Sequence, residues 1–254
     1  MTRLNAKEIK RIIGKELYIA SYFLFHHRKA VSKLSSYGFS DIKTYEVRRW
    51  VRIVRDKKLI RFYYKAQFKG IPCFIKMARM DITMKNEIFV NKYLVECGAD
   101  FAPQMLISDE NYSEDTSMIA FESISDLREF ELPADENTFE SICEEFEGIF
   151  QFFLKHGIIH GDINDSNLTL NRKNHIILID FGLGKTPDSY TSLLSFSVQR
   201  GLYYQSTENT RTYDDAYSFV SMLDDCGISE AFKQKECYKR IKQLVGVHTH
   251  SINT

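Results

Sequence analysis

The sequence predicts an α+β fold, in which an antiparallel sheet precedes a mostly helical part. Alternating apolar and polar residues from Tyr45 to Met77 are typical of strands, and apolar residues at helical spacing from Thr138 to Lys155 are typical of a buried helix. Two short apolar segments joined by a polar turn lie between His156 and Lys185. At 254 residues the chain is long enough to bury a large core in one domain or in two lobes.

Residues 1–36 form a predicted helix with a basic amphipathic character. Its apolar positions include Ile9, Ile12, Ile13 and Leu17, and lysines and an arginine surround them. Such a helix either packs against the following domain or lies on an anionic membrane surface, and both remain open. There is no apolar run of 18 residues and no secretory signal pattern, so we expect a cytoplasmic protein, with peripheral membrane contact as the alternative.

The distribution of charge and the cysteines indicate which partners and metal sites to expect. The net charge is zero, but residues 43–65 hold nine Lys or Arg against two acids, and residues 109–147 hold fourteen acids against one arginine. Solvent-exposed faces explain one basic and one acidic stretch in a chain of zero net charge. We therefore expect no nucleic-acid partner. The five cysteines contain no Cys-x-x-Cys pair, which predicts free thiols and no structural zinc.

Three antiparallel strands are predicted first. They are Tyr45–Val54, Leu59–Phe68 and a third strand that begins after Gly70, with a turn at residues 55–58 between the first two.

The third strand carries Lys76 among apolar residues, where a charge costs free energy unless it is paired. Glu87, in the predicted helix Asp81–Cys97, is a candidate partner. The alternative is a surface lysine on an edge strand.

The polar residues between His156 and Lys185 follow a spacing that suits phosphoryl transfer. Asn167 lies five residues after Asp162, and Asp180 follows the second apolar segment. A predicted hairpin would present the two carboxylates and the amide at the same end. One carboxylate can orient an attacking hydroxyl, and a carboxylate with an amide can hold Mg²⁺. The alternative is an ordinary hairpin whose polar residues only satisfy the backbone.

This stretch resembles the protein-kinase superfamily, whose pattern is His-x-Asp-x-x-x-x-Asn followed by Asp-Phe-Gly. The resemblance implies a bilobal fold, with an N-terminal helical extension at residues 1–40, a small lobe at residues 41–122 and a shortened, mostly helical large lobe at residues 123–254. It also implies ATP as substrate and Mg²⁺ as cofactor.

The resemblance assigns a role to each candidate site residue. Asp162 would be the catalytic base, and Asn167 and Asp180 would be the metal ligands. Lys76, paired with Glu87, would contact the α- and β-phosphates. Glu122 would begin the hinge, whose backbone would bind the adenine edge, and Asp215 would accept backbone N–H groups of the catalytic loop or simply cap a helix.

Three features of the sequence differ from the kinase pattern, and a fourth extends the resemblance. The turn at residues 55–58 has no glycine to approach the phosphates. Gly161 replaces the arginine that precedes the catalytic Asp, and Asn164 stands where Ser/Thr protein kinases carry a lysine. Residues 201–208 resemble the end of an activation segment.

Three interpretations follow. The first is a compact kinase of protein serine or threonine, and the second is a kinase of a sugar hydroxyl on a glycolipid such as lipopolysaccharide core heptose. The third is a nucleotide-binding scaffold with no catalytic activity, which the absent glycine loop keeps open.

Overall fold

The fold is α+β, as predicted, and consistent with a kinase-like bilobal fold. The computed structural model describes residues 13–14, 16–17, 19–21, 27–47, 51–54, 57–79, 81–113, 116–188, 202–203 and 210–253. The chain divides into two compact units, one formed by Met1–Asp81 and Met105–Ser123 and the other by Ile82–Gln104 and Ile124–Thr254. The lobe limits expected at residues 41, 122 and 123 stay predictions.

Among its described residues, the first unit contains the helix α1 and six antiparallel strands. Their bounds are α1 His27–Ser36, β1 Phe39–Tyr45, β2 Val51–Val54, β3 Lys57–Phe68, β4 Ile71–Arg79, β5 Met105–Ser113 and β6 Thr116–Glu122. The strand order is β1-β3-β4-β6-β5, and β2 also pairs with β3. Within the predicted N-terminal helix, residues 13–14, 16–17 and 19–21 and α1 are helical, whereas its positions Ile9 and Ile12 lie outside the described residues.

The predicted first strand, Tyr45–Val54, is wrong. The extended segment begins at Phe39, ends at Tyr45, and resumes as β2 at Val51. Glu46 adopts a left-handed φ of 45°, which interrupts the extended backbone. The turn is also shorter than predicted, because Lys57 and Lys58 already belong to β3; residues 55 and 56 lie outside the described residues.

Alternation along β3 builds the core of the first unit. Phe62, Tyr64, Ala66 and Phe68 are buried, and the intervening side chains are more exposed. Residues from α1, β1, β4 and β6 complete this core: Leu34, Phe39, Ile75, Met77, Met118 and Ala120.

In its described residues, the second unit is mostly helical and also contains two small sheets. Its elements are α2 Ile82–Cys97, β7 Arg128–Glu129, α3 Glu136–His156, β8 Leu168–Leu170, β9 Ile176–Leu178, β10 Leu202–Tyr203, β11 Thr210–Asp214, α4 Asp215–Asp225, α5 Glu230–Lys233, α6 Glu236–Leu244 and β12 Thr249–Asn253. The sheets are β7-β8-β9 and β10-β11-β12.

Helix α3 forms where the periodic apolar pattern predicts it. The Asp135 carboxylate accepts a hydrogen bond from the Thr138 N–H and caps the N-terminus, and Gly157 ends the helix with a left-handed φ of 64°. The predicted stripe is buried: Phe139, Ile142, Cys143, Phe146, Ile149, Phe150 and Phe153. The helix therefore delivers the chain to the start of the catalytic loop from a fixed position in the core.

The predicted hairpin after the loop is confirmed. β8 and β9 pair antiparallel, with Leu168 opposite Leu178, and the Asn171 N–H closes the turn on the His175 carbonyl. The last part of the chain adds α5, α6 and β12, and β12 pairs with β11 immediately before α4. Within the described residues, no helix is long and apolar enough to span a membrane.

Candidate active site

Asp162 and Asn167 lie in direct contact in the loop between Ile159 and β8. The Asn167 amide Nδ2 donates to the Asp162 carboxylate Oδ2 and to the Asp162 backbone carbonyl, both at 2.9 Å. The Asn164 amide donates to the other carboxylate oxygen at 3.0 Å. Both oxygens of Asp162 therefore accept a hydrogen bond from a neutral amide, which fixes the orientation of the carboxylate.

Asp162 is partly protected from solvent, and this changes its acidity. Burial, then the nearby negative charge of Asp180, raises the pKa of Asp162 to about 6, while the two amide hydrogen bonds oppose that rise. A raised pKa brings a carboxyl group closer to the range in which it exchanges protons at neutral pH. The influence of Asp180 also shows that the two carboxylates are close enough to interact.

His160 joins the loop to the strand that precedes Asp180. Its ring Nδ1 accepts from the Asp162 N–H at 3.2 Å, so Nε2 carries the proton and donates to the Ile179 carbonyl at 3.1 Å. Complete burial lowers the pKa of His160 to about 4, so the imidazole is neutral at physiological pH. Its ring also packs against Phe181, with 4.4 Å between the ring centroids. A neutral histidine thus aligns the two segments that carry the candidate acidic residues.

The predicted contact between Asp215 and the catalytic loop is confirmed. One carboxylate oxygen accepts from the His160 N–H at 2.8 Å, and the other from the Gly161 N–H at 3.2 Å. Burial raises the pKa of Asp215 to about 7, although these two N–H groups oppose the shift. The helix N-cap is instead Asp214, whose side chain accepts from the Tyr217 N–H. Asp215 therefore braces the loop and does not serve as the cap of α4.

Tyr213 is a loop-bracing residue that the sequence reasoning missed. Its hydroxyl accepts from the Ile163 N–H at 3.1 Å and from the Ser218 hydroxyl at 3.0 Å. The side chain is 1% exposed. Because its backbone partner is 50 residues away in the chain, no local pattern indicates this role.

Asp180 lies in an unusual backbone conformation at the end of the second apolar segment. Its φ of 63° and ψ of 60° place it in the left-handed region, which is uncommon for residues other than glycine. A single 3₁₀ turn, Phe181–Leu183, follows, and the Ile179 N–H before Asp180 donates to the Asn167 carbonyl at 3.0 Å. The strand that leads to Asp180 is therefore tied to the loop of Asp162 and Asn167.

The donor chemistry of this loop fits Mg²⁺. Asp180 offers a carboxylate, and Asn167 uses its Nδ2 on Asp162, which leaves the amide oxygen as the ligating atom. Two carboxylates held close together repel each other, and a divalent cation would offset that repulsion. Among the described residues, no group of three or more His, Cys, Asp or Glu side chains is arranged to hold a metal. The candidate ligand set, one carboxylate from Asp180 and one amide from Asn167, has fewer such groups than that.

Lys76 lies on a central strand of the first unit. β4 pairs with β3 on one side and β6 on the other, so Lys76 stands opposite Tyr63 and Ile119. Its side chain is 6% exposed. The alternative of a surface lysine on an edge strand is therefore wrong, and a buried ammonium group requires polar partners.

Two further predicted residues occupy different units. Glu122 is the last residue of β6 in the first unit, where it pairs with Cys73. The next N–H, that of Ser123, already donates to the Pro72 carbonyl at 2.8 Å. Glu87 is buried on α2 in the second unit, so its predicted pairing with Lys76 stays a prediction.

Some predicted features lie outside the part of the chain that the structure describes. These are the tip of the glycine-free turn at residues 55 and 56, the hydroxyl-rich segment 189–200 and most of residues 201–208.

Two comparisons with known proteins found similarity to kinases. The family model described as the ABC1 atypical kinase-like domain matches residues 122–208, which include Asp162, Asn167 and Asp180. A segment of 51 residues is 41% identical to the "Probable serine/threonine-protein kinase pkgA" of Dictyostelium discoideum. That segment is 20% of this chain and 4% of the length of that relative.

Proposed function

Because the chain belongs to the protein-kinase-like superfamily, we propose that it is an ATP-dependent kinase that transfers the γ-phosphoryl group to a hydroxyl. The observation that carries this proposal is the contact of Asp162 with Asn167, with Asp180 close enough to raise the pKa of Asp162. This is the set of groups that phosphoryl transfer requires of a protein, because its catalysis rests on positioning and electrostatics.

Asp162 would orient the acceptor hydroxyl and take its proton. Its carboxylate is held by the amides of Asn164 and Asn167, so little rotational freedom is lost when an acceptor binds. Its raised pKa suits a group that must accept a proton and release it again.

Asn167 and Asp180 would hold Mg²⁺. When bound, the cation supplies positive charge that neutralises the phosphates and helps to orient them. The segments that carry these two candidate ligands are held in place by hydrogen bonds of His160, Asp215 and Tyr213 on the buried side of the loop.

Lys76 and Glu122 would supply contacts of the first unit to ATP. Lys76 is buried on the central strand β4, where its charge must be paired. This supports a role for its ammonium group in binding the phosphates of ATP. In the resemblance to protein kinases, Lys76 contacts the α- and β-phosphates, Glu87 fixes it, and the backbone at Glu122 binds adenine.

The acceptor that we favour is a protein serine or threonine. The support is the similarity of a 51-residue segment to a probable serine/threonine-protein kinase. A second candidate is a sugar hydroxyl on a glycolipid. It is favoured by Asn164, a neutral amide that binds Asp162 at the position where Ser/Thr protein kinases carry a lysine.

The acceptor can be identified with γ-labelled ATP and Mg²⁺. Purified protein is incubated alone, with a generic protein acceptor, and with glycolipid extracted from membranes, and Asp162→Ala is run in parallel. Label that enters protein and is lost with Asp162→Ala supports the protein kinase. Label that enters glycolipid alone supports the second candidate and contradicts the first. If no tube contains transferred label while ATP still raises the melting temperature, the kinase proposal fails and the non-catalytic nucleotide-binding scaffold is favoured.

A further inference from the structure

The side-chain amide of Asn86 bridges two backbone carbonyls of the segment that follows Asp180. Its Nδ2 donates to the Gly182 carbonyl at 3.1 Å and to the Gly184 carbonyl at 2.7 Å. Asn86 lies on α2 and is 7% exposed. Both hydrogens of the amide group are therefore used to hold a segment that is about a hundred residues away in the chain, since the sequence separations are 96 and 98.

This segment packs closely on α2 on both sides of Asn86. A Cβ atom added at Gly182 would lie 3.3 Å from the Thr83 carbonyl oxygen, and one at Gly184 would lie 3.4 Å from Val90 Cγ1. Thr83 and Val90 are one turn before and one turn after Asn86 on the helix. The two glycines thus allow a close approach of the segment to α2. The Asn86 amide fixes the position of the segment along the helix.

The segment begins at Asp180, in a conformation that needs support from its surroundings. The left-handed φ of 63° is unfavourable for a residue with a side chain. After the 3₁₀ turn, the Gly184 N–H donates to the Phe181 carbonyl at 2.9 Å. The carbonyls of Gly182 and Gly184 point instead to Asn86. Loss of that amide would leave two buried acceptors without this partner and would free the segment to relax.

We propose that Asn86 is a positioning residue for the metal-binding segment. It holds residues 180–184 on α2 so that the Asp180 carboxylate is presented to the cation of ATP–Mg²⁺. The inference rests on the proposed function, because it requires Asp180 to bind that cation. Asn86 directly precedes Glu87 on α2, so the same helix carries the predicted partner of Lys76 and the anchor of the metal-binding segment.

The chain offers a matched control on the same helix. Asn91 is also a buried asparagine on α2, at 3% exposure, but its Nδ2 donates to the Glu87 carbonyl of its own helix at 2.8 Å. Asn91→Ala therefore removes a buried amide of the same kind without touching the segment after Asp180. Asn86→Asp keeps the shape of the side chain but replaces its donor by an acceptor, which would face two carbonyls.

The test is the affinity for ATP, measured by calorimetry in Mg²⁺ and again in EDTA. We expect Asn86→Ala and Asn86→Asp to lose roughly tenfold or more of the affinity gained from Mg²⁺, since residues that support metal ligands typically contribute that much. Their affinity for ATP in EDTA should equal that of the unaltered protein. Asn91→Ala should keep the full gain from Mg²⁺.

A purely structural role for Asn86 would give a different pattern. If Asn86→Ala and Asn91→Ala keep the same gain from Mg²⁺, or lose it equally, the inference is wrong while the proposed function stands. If the unaltered protein binds ATP equally in Mg²⁺ and EDTA, the proposed function fails and the inference fails with it. Should Asn86→Ala be insoluble, Asn86→Asp decides the question, because it keeps the size of the side chain and removes only the donor to the two carbonyls. A full gain from Mg²⁺ in folded Asn86→Asp would overturn the inference.

Discussion

The carboxylate of Asp162 accepts a hydrogen bond from the side-chain amide of Asn167 at 2.9 Å, within a single loop of the second unit. The contact places a candidate base beside a candidate metal ligand, and it orients both groups. His160, Tyr213 and Asp215 hold this loop from its buried side. Single substitutions can separate the groups proposed to bind ATP and metal from the groups that hold them in place.

Asp180→Asn should abolish the contribution of Mg²⁺ to ATP binding. The amide keeps the shape of the side chain but loses the negative charge that a hard divalent cation prefers. We expect the melting-temperature increase caused by ATP to become the same in Mg²⁺ and in EDTA. An increase that still depends on Mg²⁺ in Asp180→Asn would exclude Asp180 as the main ligand.

Lys76→Met should weaken ATP binding by roughly 10- to 100-fold, the value of a hydrogen bond to a charged group. Methionine fills a similar volume on β4 but cannot contact a phosphate. Lys43→Met on β1 is the matched control, because Lys43 is an exposed lysine on the same sheet. Calorimetry with ATP should show the loss in Lys76→Met and none in Lys43→Met. Equal affinities in the two variants would remove Lys76 from the proposed site.

Tyr213→Phe should slow phosphoryl transfer without weakening ATP binding. The change leaves the buried Ile163 N–H without its acceptor, which should lower the free energy of unfolding by about 1–3 kcal/mol. Ile163 follows Asp162, so the loop should lose its precise position.

Tyr112→Phe is the control for this variant. Its hydroxyl donates to the Ala30 carbonyl at 3.0 Å in the first unit, in a similarly buried position. We expect chemical denaturation to show a loss of stability in both variants, and transfer kinetics to show a lower turnover number in Tyr213→Phe alone. A comparable fall in Tyr112→Phe would mean that turnover follows general stability.

Asp215→Asn should change how stability depends on pH. The pKa of Asp215 is raised to about 7 in the folded chain, above its ordinary value of 3.8, so between about pH 4 and 7 the folded state holds a proton that the unfolded state has lost. This contribution to stability is greatest at the acidic end and falls as pH rises to 7. His160, with a pKa lowered to about 4 from 6.5, contributes in the opposite sense, so stability rises with pH between those values.

Removal of Asp215 should therefore expose the His160 contribution. Stability of Asp215→Asn should rise more steeply from pH 4 to 7 than that of the unaltered protein, by at most about 1.4 kcal/mol per pH unit for one proton. Neighbouring Asp214 and Tyr213 also carry raised pKa values and remain in both proteins. The measurement is the free energy of unfolding of both proteins at each pH. If its dependence on pH is the same in the two proteins, Asp215 does not hold a proton in the folded state.

The sequence was most informative where the relevant residues are close in the chain. Asp162, Asn167 and Asp180 stand within 20 residues, so their spacing and the apolar segments between them predicted one hairpin. The stripe of α3 was predictable because burial imposes a helical period on it. Such patterns carry information because the local geometry alone determines which side chains share a face.

Other features depend on contacts that linear spacing does not show. Asn86 and Tyr213 bind segments that are 96 and 50 residues away, and no local pattern distinguishes them from other buried polar residues. The break between β1 and β2 was missed because Glu46, a residue with no turn preference, adopts a left-handed φ. Asp215 was expected either to cap α4 or to brace the loop, and the structure separates the two because Asp214 takes the cap.

The most direct test of the proposed kinase activity compares phosphoryl transfer with ATP binding in Asp162→Ala. The side chain is a candidate base and not a metal ligand, and the Asn167 amide keeps its hydrogen bond to the backbone carbonyl of residue 162 in the variant. Asp162→Ala should therefore bind ATP–Mg²⁺ with nearly unchanged affinity. Its rate of transfer from γ-labelled ATP should fall by roughly 10²- to 10⁴-fold, the usual contribution of a general base. Its melting temperature above pH 6 should not fall, because a carboxylate whose pKa is raised by burial does not favour the folded state there. Transfer at the unaltered rate by folded Asp162→Ala would contradict the account.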